Sequence, residues 1–116
     1  MIRRHAISFQ HAFEGVWHAI ITQPNFRIHL LAATAAIVCG LKFSISTTEW
    51  LILTLVITGV IVVELINTSI EAVVDLLTQQ HNHYAKIAKD VAASSVLVAA
   101  IGAAITGLII FLPKLI

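Results

Sequence analysis

The chain is expected to be an all-α integral membrane protein, with three transmembrane helices per protomer behind an N-terminal amphipathic surface helix. Three observations predict this. Of its 116 residues, 59% are hydrophobic and only 11% are charged, where an ordinary soluble domain carries about 25% charged residues. A small domain so poor in charge cannot cover its surface in water. Three stretches approach or exceed the roughly 20 apolar residues that cross a bilayer. Each must be helical, because a lone strand in hydrocarbon leaves its backbone unpaired. One domain, residues 1–116, is expected.

The surface helix is assigned to residues 6–22. Phe9, Phe13, Val16 and Ile20 recur there at helical spacing, while Ser8, His11, His18 and Thr22 fall on another face. Such a helix lies in the interface, a depth that suits Trp17. The first twenty residues mix His, Arg, Gln and Glu with the apolar positions, so no cleavable signal peptide is expected. Gln23 and Pro24 mark a corner. The first span, residues 28–45, reads "IHLLAATAAIVCGLKFSI" and is interrupted by His29 and Lys42. The second, residues 50–77, opens "WLILTLVITGVIVV" before it meets a run of acids. The third is assigned to residues 88–112, around the uninterrupted "VAASSVLVAAIGAAITGLIIFL". Small residues recur at Ala32, Ala36 and Gly40, and at Ala99, Ala103 and Gly107; such stripes let helices approach closely in lipid, though Ala and Gly are also simply common in membrane helices. Three spans in so short a chain enclose little interior, which suggests an oligomer that completes a site between subunits.

Net charge is +1 and the seven basic residues are scattered, which argues against nucleic acid. Cys39, the only cysteine, lies in an apolar run, so it is read as a packed small hydrophobe. His81 and His83 are read as a solvated loop, Glu14 and Glu49 as solvated or interfacial, and His29 as satisfying a boundary hydrogen bond. The five glycines form no phosphate-cradling loop. With the N-terminus inside, Arg3, Arg4, Arg27, Lys86 and Lys89 face the cytoplasm, and only Lys42 and Lys114 face outward. The acidic end of the second span is then cytoplasmic.

That end, "VVELINTSIEAVVDLL", holds half of the six acidic residues. At about 100° per residue, Glu64, Asn67, Glu71 and Asp75 fall within an arc of roughly 80°, a stripe about 16 Å long. A carboxylate at the bilayer centre costs on the order of 3 kcal/mol even on the lenient insertion scale. The stripe must therefore face a partner helix, a wet cavity or the aqueous boundary. Counted from Trp50, Glu64 lies about 21 Å along the helix and Asp75 about 37 Å, against a hydrocarbon core about 30 Å thick. Glu64 is thus the deepest acid and the candidate proton acceptor, while Glu71, nearer water, could hold a hard cation such as magnesium. Spacing alone leaves two other readings open: ion pairing with His or Lys of neighbouring helices, and the proton path of a small transporter.

"ELINTSIEAVVDLL" resembles the signature of the bacterial diacylglycerol kinase family, small integral membrane kinases. "GVWHAI", "NFRIHLLAA", "AKIAKDVAASSVL" and "GLIIFLPKL" extend the likeness over nearly the whole chain, and the last two, with "FRIH", look most like the Gram-positive branch of undecaprenol kinases. The resemblance implies a homotrimer in the bacterial inner membrane that transfers the γ-phosphate of ATP to the hydroxyl of a lipid alcohol, undecaprenol or alternatively diacylglycerol. It implies Glu64 as catalytic base, Glu71 as magnesium (Mg2+) ligand, Asn67 and Asp75 as members of the active-site stripe, and Lys89 and Asp90 as the nucleotide-binding pair, with Arg4 near the phosphates. Gln23 stands where the family's pattern has a glutamate that helps hold magnesium; an amide offers a carbonyl oxygen but cannot neutralise cation charge.

Overall fold

A computed structural model describes all residues, 1–116. Four helices follow one another: α1 (Ile2–Thr22), α2 (Pro24–Lys42), α3 (Thr47–Leu77) and α4 (His83–Leu115). The last three are each long and apolar enough to cross a membrane.

Local chemistry sets the boundaries. Gln23 is extended, with φ −110° and ψ 103°, the conformation a following proline favours. Pro24 then opens α2 at its first turn, where a missing N–H is harmless. One residue thus ends α1 and begins α2. α1 starts at Ile2 rather than at residue 6, since nothing in residues 2–5 breaks a helix. α2 stops at Lys42 rather than 45, because Ser44 takes the left-handed conformation with φ 49°. Ser46 caps α3. Its hydroxyl accepts from the Glu49 N–H at 3.2 Å, and the Glu49 carboxylate accepts from the Ser46 N–H at 2.8 Å. This reciprocal box moves the start of α3 forward to Thr47. Glu49, expected to be merely solvated or interfacial, is a structural residue. At the other turn, the Asn82 side chain accepts from the N–H groups of Tyr84 and Ala85 and opens α4 at His83.

α3 and α4 form a long antiparallel hairpin held by an ion pair at each end. Asp75 binds Lys89 near the connecting loop, and Glu49 binds Lys114 at 2.8 Å at the far end. α2 packs against α3 through Gly40, where an added Cβ would come 2.6 Å from the Trp50 ring; only glycine lets that corner close. Ile45, Leu53 and Ile110 are buried beside it, with Phe43 and Phe111 at a ring separation of 6.4 Å.

Lengths place the polar residues. α2, at 19 residues, spans about 28 Å and matches the hydrocarbon core. Beyond the level of Glu64 and His29, α3 continues for 13 residues and α2 for only five. The hairpin therefore projects about 12 Å past the end of α2. Only 12 of 116 residues are buried, so the outer faces of the spans, rich in Leu, Ile and Val, suit lipid or a second copy. α1 exposes Phe9, Phe13 and Trp17, while the Glu14 carboxylate bonds His11 and Gln10, each at 3.0 Å. The hydrogen bond from His11, followed by that from Gln10, holds the Glu14 carboxyl below its ordinary value.

Candidate active site

Two polar side chains are buried in the protein, Glu64 at 2% exposure and Asn67 at 7%. Both lie on α3, one turn apart, on the face that spacing selects. The Asn67 amide donates to Glu71 Oε1 at 3.2 Å, which fixes the amide and aims its carbonyl oxygen the other way. Asn67 Oδ1 and Glu64 Oε2 are buried without any protein donor. A buried acceptor left unpaired costs about 1–3 kcal/mol, and more when charged. The nearest basic nitrogen to Glu64 Oε2 is Nε2 of His29, on α2, at 3.8 Å. That separation is beyond hydrogen-bond range.

Three cavities surround this stretch of α3. An apolar cleft of about 220 Å3 runs between α2, α3 and α4, with Ala32, Ala36, Val60, Ala103 and Gly107 on its walls. Of the small-residue stripes, Ala32, Ala36, Ala103 and Gly107 line this groove, whereas Gly40 is where a helix approaches closely. A second cavity, about 270 Å3, has Asn25, His29, Glu64, Asn67 and Glu71 as its polar lining. His29 and Ala100 line both. The third, about 400 Å3 and strongly polar, lies on the projecting end of the hairpin, where Asp75, Lys86, Lys89 and Asp90 meet Gln80 and Asn82 of the loop.

The stripe is therefore divided. Glu64, Asn67 and Glu71 share one cavity, while Asp75 belongs to the loop cavity with Lys89 and Asp90. Lys89 pairs with Asp75, and Asp90 with Lys86. Arg4 is exposed near the start of α1 and lines neither cavity. Gln23, at the α1–α2 corner, lines neither and donates its amide to Thr22 Oγ1 at 3.3 Å. Two residues of the Glu64 cavity, Asn25 and His29, were not expected there. A register signal existed for His29: the short α2–α3 turn that sets Gly40 on Trp50 carries residue 29 opposite the region of 61–64 in an antiparallel pair.

The oxygen set fits a hard cation. Magnesium is usually held by one or two carboxylates together with waters and substrate phosphates. Glu71 offers one carboxylate, with Oε1 accepting from the Asn67 amide and Oε2 left to a cation. No three His, Cys, Asp or Glu residues gather as a self-sufficient metal cage.

A small three-span protein with a buried acid between an apolar cleft and a polar loop is the class that this geometry defines. The prokaryotic diacylglycerol kinase family profile matches residues 10–111. The chain is 48% identical to undecaprenol kinase of Bacillus subtilis over 108 residues, 93% of this chain and 88% of that one. It is 44% identical to diacylglycerol kinase of a Synechocystis species over 94% of its own length and 63% of that protein's. It is 30% identical to diacylglycerol kinase of Escherichia coli K12 over 83% of this chain and 79% of that one. The chain belongs to the prokaryotic diacylglycerol kinase family.

Proposed function

We propose that this protein transfers the γ-phosphate of ATP to the hydroxyl of a membrane lipid alcohol, with undecaprenol as the substrate. The observation that carries the reading is Glu64 Oε2: a buried carboxylate oxygen, without a protein donor, where an apolar cleft meets a polar cavity. Undecaprenol, rather than diacylglycerol, follows from the similarity to the Bacillus subtilis protein. The Synechocystis and Escherichia coli relatives keep diacylglycerol as the second reading. A proton-coupled transporter is disfavoured because Glu64, Glu71 and Asp75 cluster in the C-terminal half of α3 and Glu49 is tied to its cap and to Lys114, so the acids do not step across the membrane.

The lipid hydroxyl lies at the depth of Glu64, and its chain follows the Ala- and Gly-lined cleft. Glu64 Oε2 takes the hydroxyl proton as the oxygen attacks the γ-phosphorus; a new O–P bond forms, the bond to the β–γ bridging oxygen breaks, and ADP leaves. Phosphoryl transfer asks the protein mainly for positioning and charge stabilisation. Asn67 orients Glu71 through its amide. Lys89, held by Asp75 at the loop cavity, supplies positive charge to the nucleotide, and Asp90 beside it binds the nucleotide's polar groups. Magnesium, held by Glu71 and assisted by Gln23, would neutralise phosphate charge.

Arg4 and Gln23 reach neither cavity within one protomer, and the interior of one protomer is thin. Both features support a homotrimer in which a neighbouring α1 completes each site. The site faces the cytoplasm of a bacterial inner-membrane protein, as the distribution of Lys and Arg favours.

Labelled ATP offered with undecaprenol and diacylglycerol together in mixed micelles tests the reading. The label should enter undecaprenyl phosphate preferentially and only with magnesium present. ATP consumption independent of any lipid alcohol contradicts it.

A further inference from the structure

We infer that His29 is a second contact to the acceptor hydroxyl: its Nε2–H donates to the lipid oxygen while that oxygen gives its proton to Glu64. This rests on the lipid-kinase reading and adds to it a residue that neither the acidic stripe nor the nucleotide-binding pair includes.

The geometry carries it. His29 Nε2 and Glu64 Oε2 are 3.8 Å apart, too far for a direct hydrogen bond and too near for an oxygen to sit in line between them, which would need about 5.6 Å. An oxygen to one side, about 2.8 Å from each, subtends roughly 85°. A small rotation of either side chain opens this toward the angle between a hydroxyl's proton and its lone pairs. That lateral position is open, since both residues line the same cavity. Glu64 is almost fully buried and His29 is 19% exposed, so the bridging oxygen meets little competing water.

The second observation is independent of that distance. His29 is the one polar residue that lines both the apolar cleft and the Glu64 cavity. An apolar chain lying in the cleft brings its terminal polar group to His29 first. The chemistry also matches in sign: a carboxylate offers only acceptors, whereas an imidazole Nε2–H offers a donor. A hydroxyl is both, and it satisfies both residues at once. His29 keeps its proton throughout; the hydroxyl proton goes to Glu64. The role is to hold the oxygen with its O–H aimed at the base, a positioning role in which small misplacements are costly.

The test compares His29→Leu, which removes the donor at similar volume, with His29→Gln, whose amide restores an N–H near the Nε2 position. In micelles containing undecaprenol, with ATP and magnesium, His29→Leu should lower kcat/KM for the lipid about 10- to 100-fold, the loss expected for one transition-state hydrogen bond. KM for ATP should not change. His29→Gln should recover to within about threefold of wild type. A His29→Leu enzyme with wild-type kcat/KM, or a His29→Gln enzyme as poor as His29→Leu, overturns the proposal. Histidine-labelled (15N) protein gives a readout without turnover: undecaprenol added alone should shift the His29 ring resonance. A shift in a protein that phosphorylates no lipid alcohol sinks the kinase reading and keeps the contact. Turnover without any shift keeps the kinase reading and sinks the contact.

Discussion

The first turn and the middle of α3 carry acids in opposite conditions. At one end Glu49 is satisfied: it accepts from the Ser46 N–H and from Lys114 Nζ, each at 2.8 Å, and ties α3 to both its own cap and α4. Near the middle of the helix, Glu64 is buried more deeply and its Oε2 has no protein donor. Both are glutamates in the same helix beside hydrocarbon. The difference teaches how to separate a structural acid from a reactive one: the first has its charge and lone pairs met by the fold, the second keeps them for a substrate.

Each variant below strains or sharpens that contrast. The largest effect belongs to Glu64→Gln, which keeps shape but removes the proton acceptor; kcat should fall about 10³-fold. Its unfolding midpoint should stay or rise, because an unpaired buried charge is lost. Glu71→Gln comes next, lowering kcat about 10²-fold and raising the magnesium concentration for half-maximal rate. Gln23→Glu should lower that concentration; equal or weaker activity at limiting magnesium counts against a metal role for the position. Gly40→Ala forces a Cβ against Trp50 and should cost about 1–3 kcal/mol of stability, read as a lower unfolding midpoint, with the catalytic rate of the folded fraction preserved. Glu49→Gln should also lower the midpoint, by removing the charge paired with Lys114 while the amide oxygen keeps the bond from the Ser46 N–H, without changing KM for lipid or ATP.

The smallest effect is on α1. The Glu14 carboxyl is held below its ordinary value of 4.5, so its contribution is present above that pH and is lost as pH falls through the lowered value. Helicity of residues 2–22 followed by hydrogen exchange in micelles should decline on acidification below about 4.5; Glu14→Gln should flatten that decline. An unchanged decline would assign the acid sensitivity elsewhere.

Much of this contrast is visible in the sequence. Hydrophobic runs long enough to span a bilayer place α2, α3 and α4, and the 3.6-residue period puts Glu64, Asn67 and Glu71 on one face, where the structure gathers them in one cavity. The capping box is also written there, as Ser46 with Glu49 three positions later. The ends at residues 22 and 77 fall as expected, and the others differ by three to five residues, where Pro24, the caps at Ser46 and Asn82 and the left-handed Ser44, rather than hydropathy, set helix boundaries. His29 was the harder residue. A lone histidine near the start of an apolar span has many explanations, and only the α2–α3 register, fixed by Gly40 against Trp50, brings it opposite Glu64. The division of the stripe likewise depends on α4, whose Lys89 draws Asp75 to the loop cavity.

The most direct measurement is a side-by-side assay of Glu64→Gln and Glu49→Gln in one micelle preparation with undecaprenol, ATP and magnesium, recording phosphate transfer and the thermal unfolding midpoint of each. The account predicts a crossed pattern: Glu64→Gln loses turnover and keeps its midpoint, whereas Glu49→Gln loses midpoint and keeps turnover. Should Glu64→Gln transfer phosphate at the wild-type rate, the unpartnered oxygen on α3 is not the proton acceptor and the account is wrong.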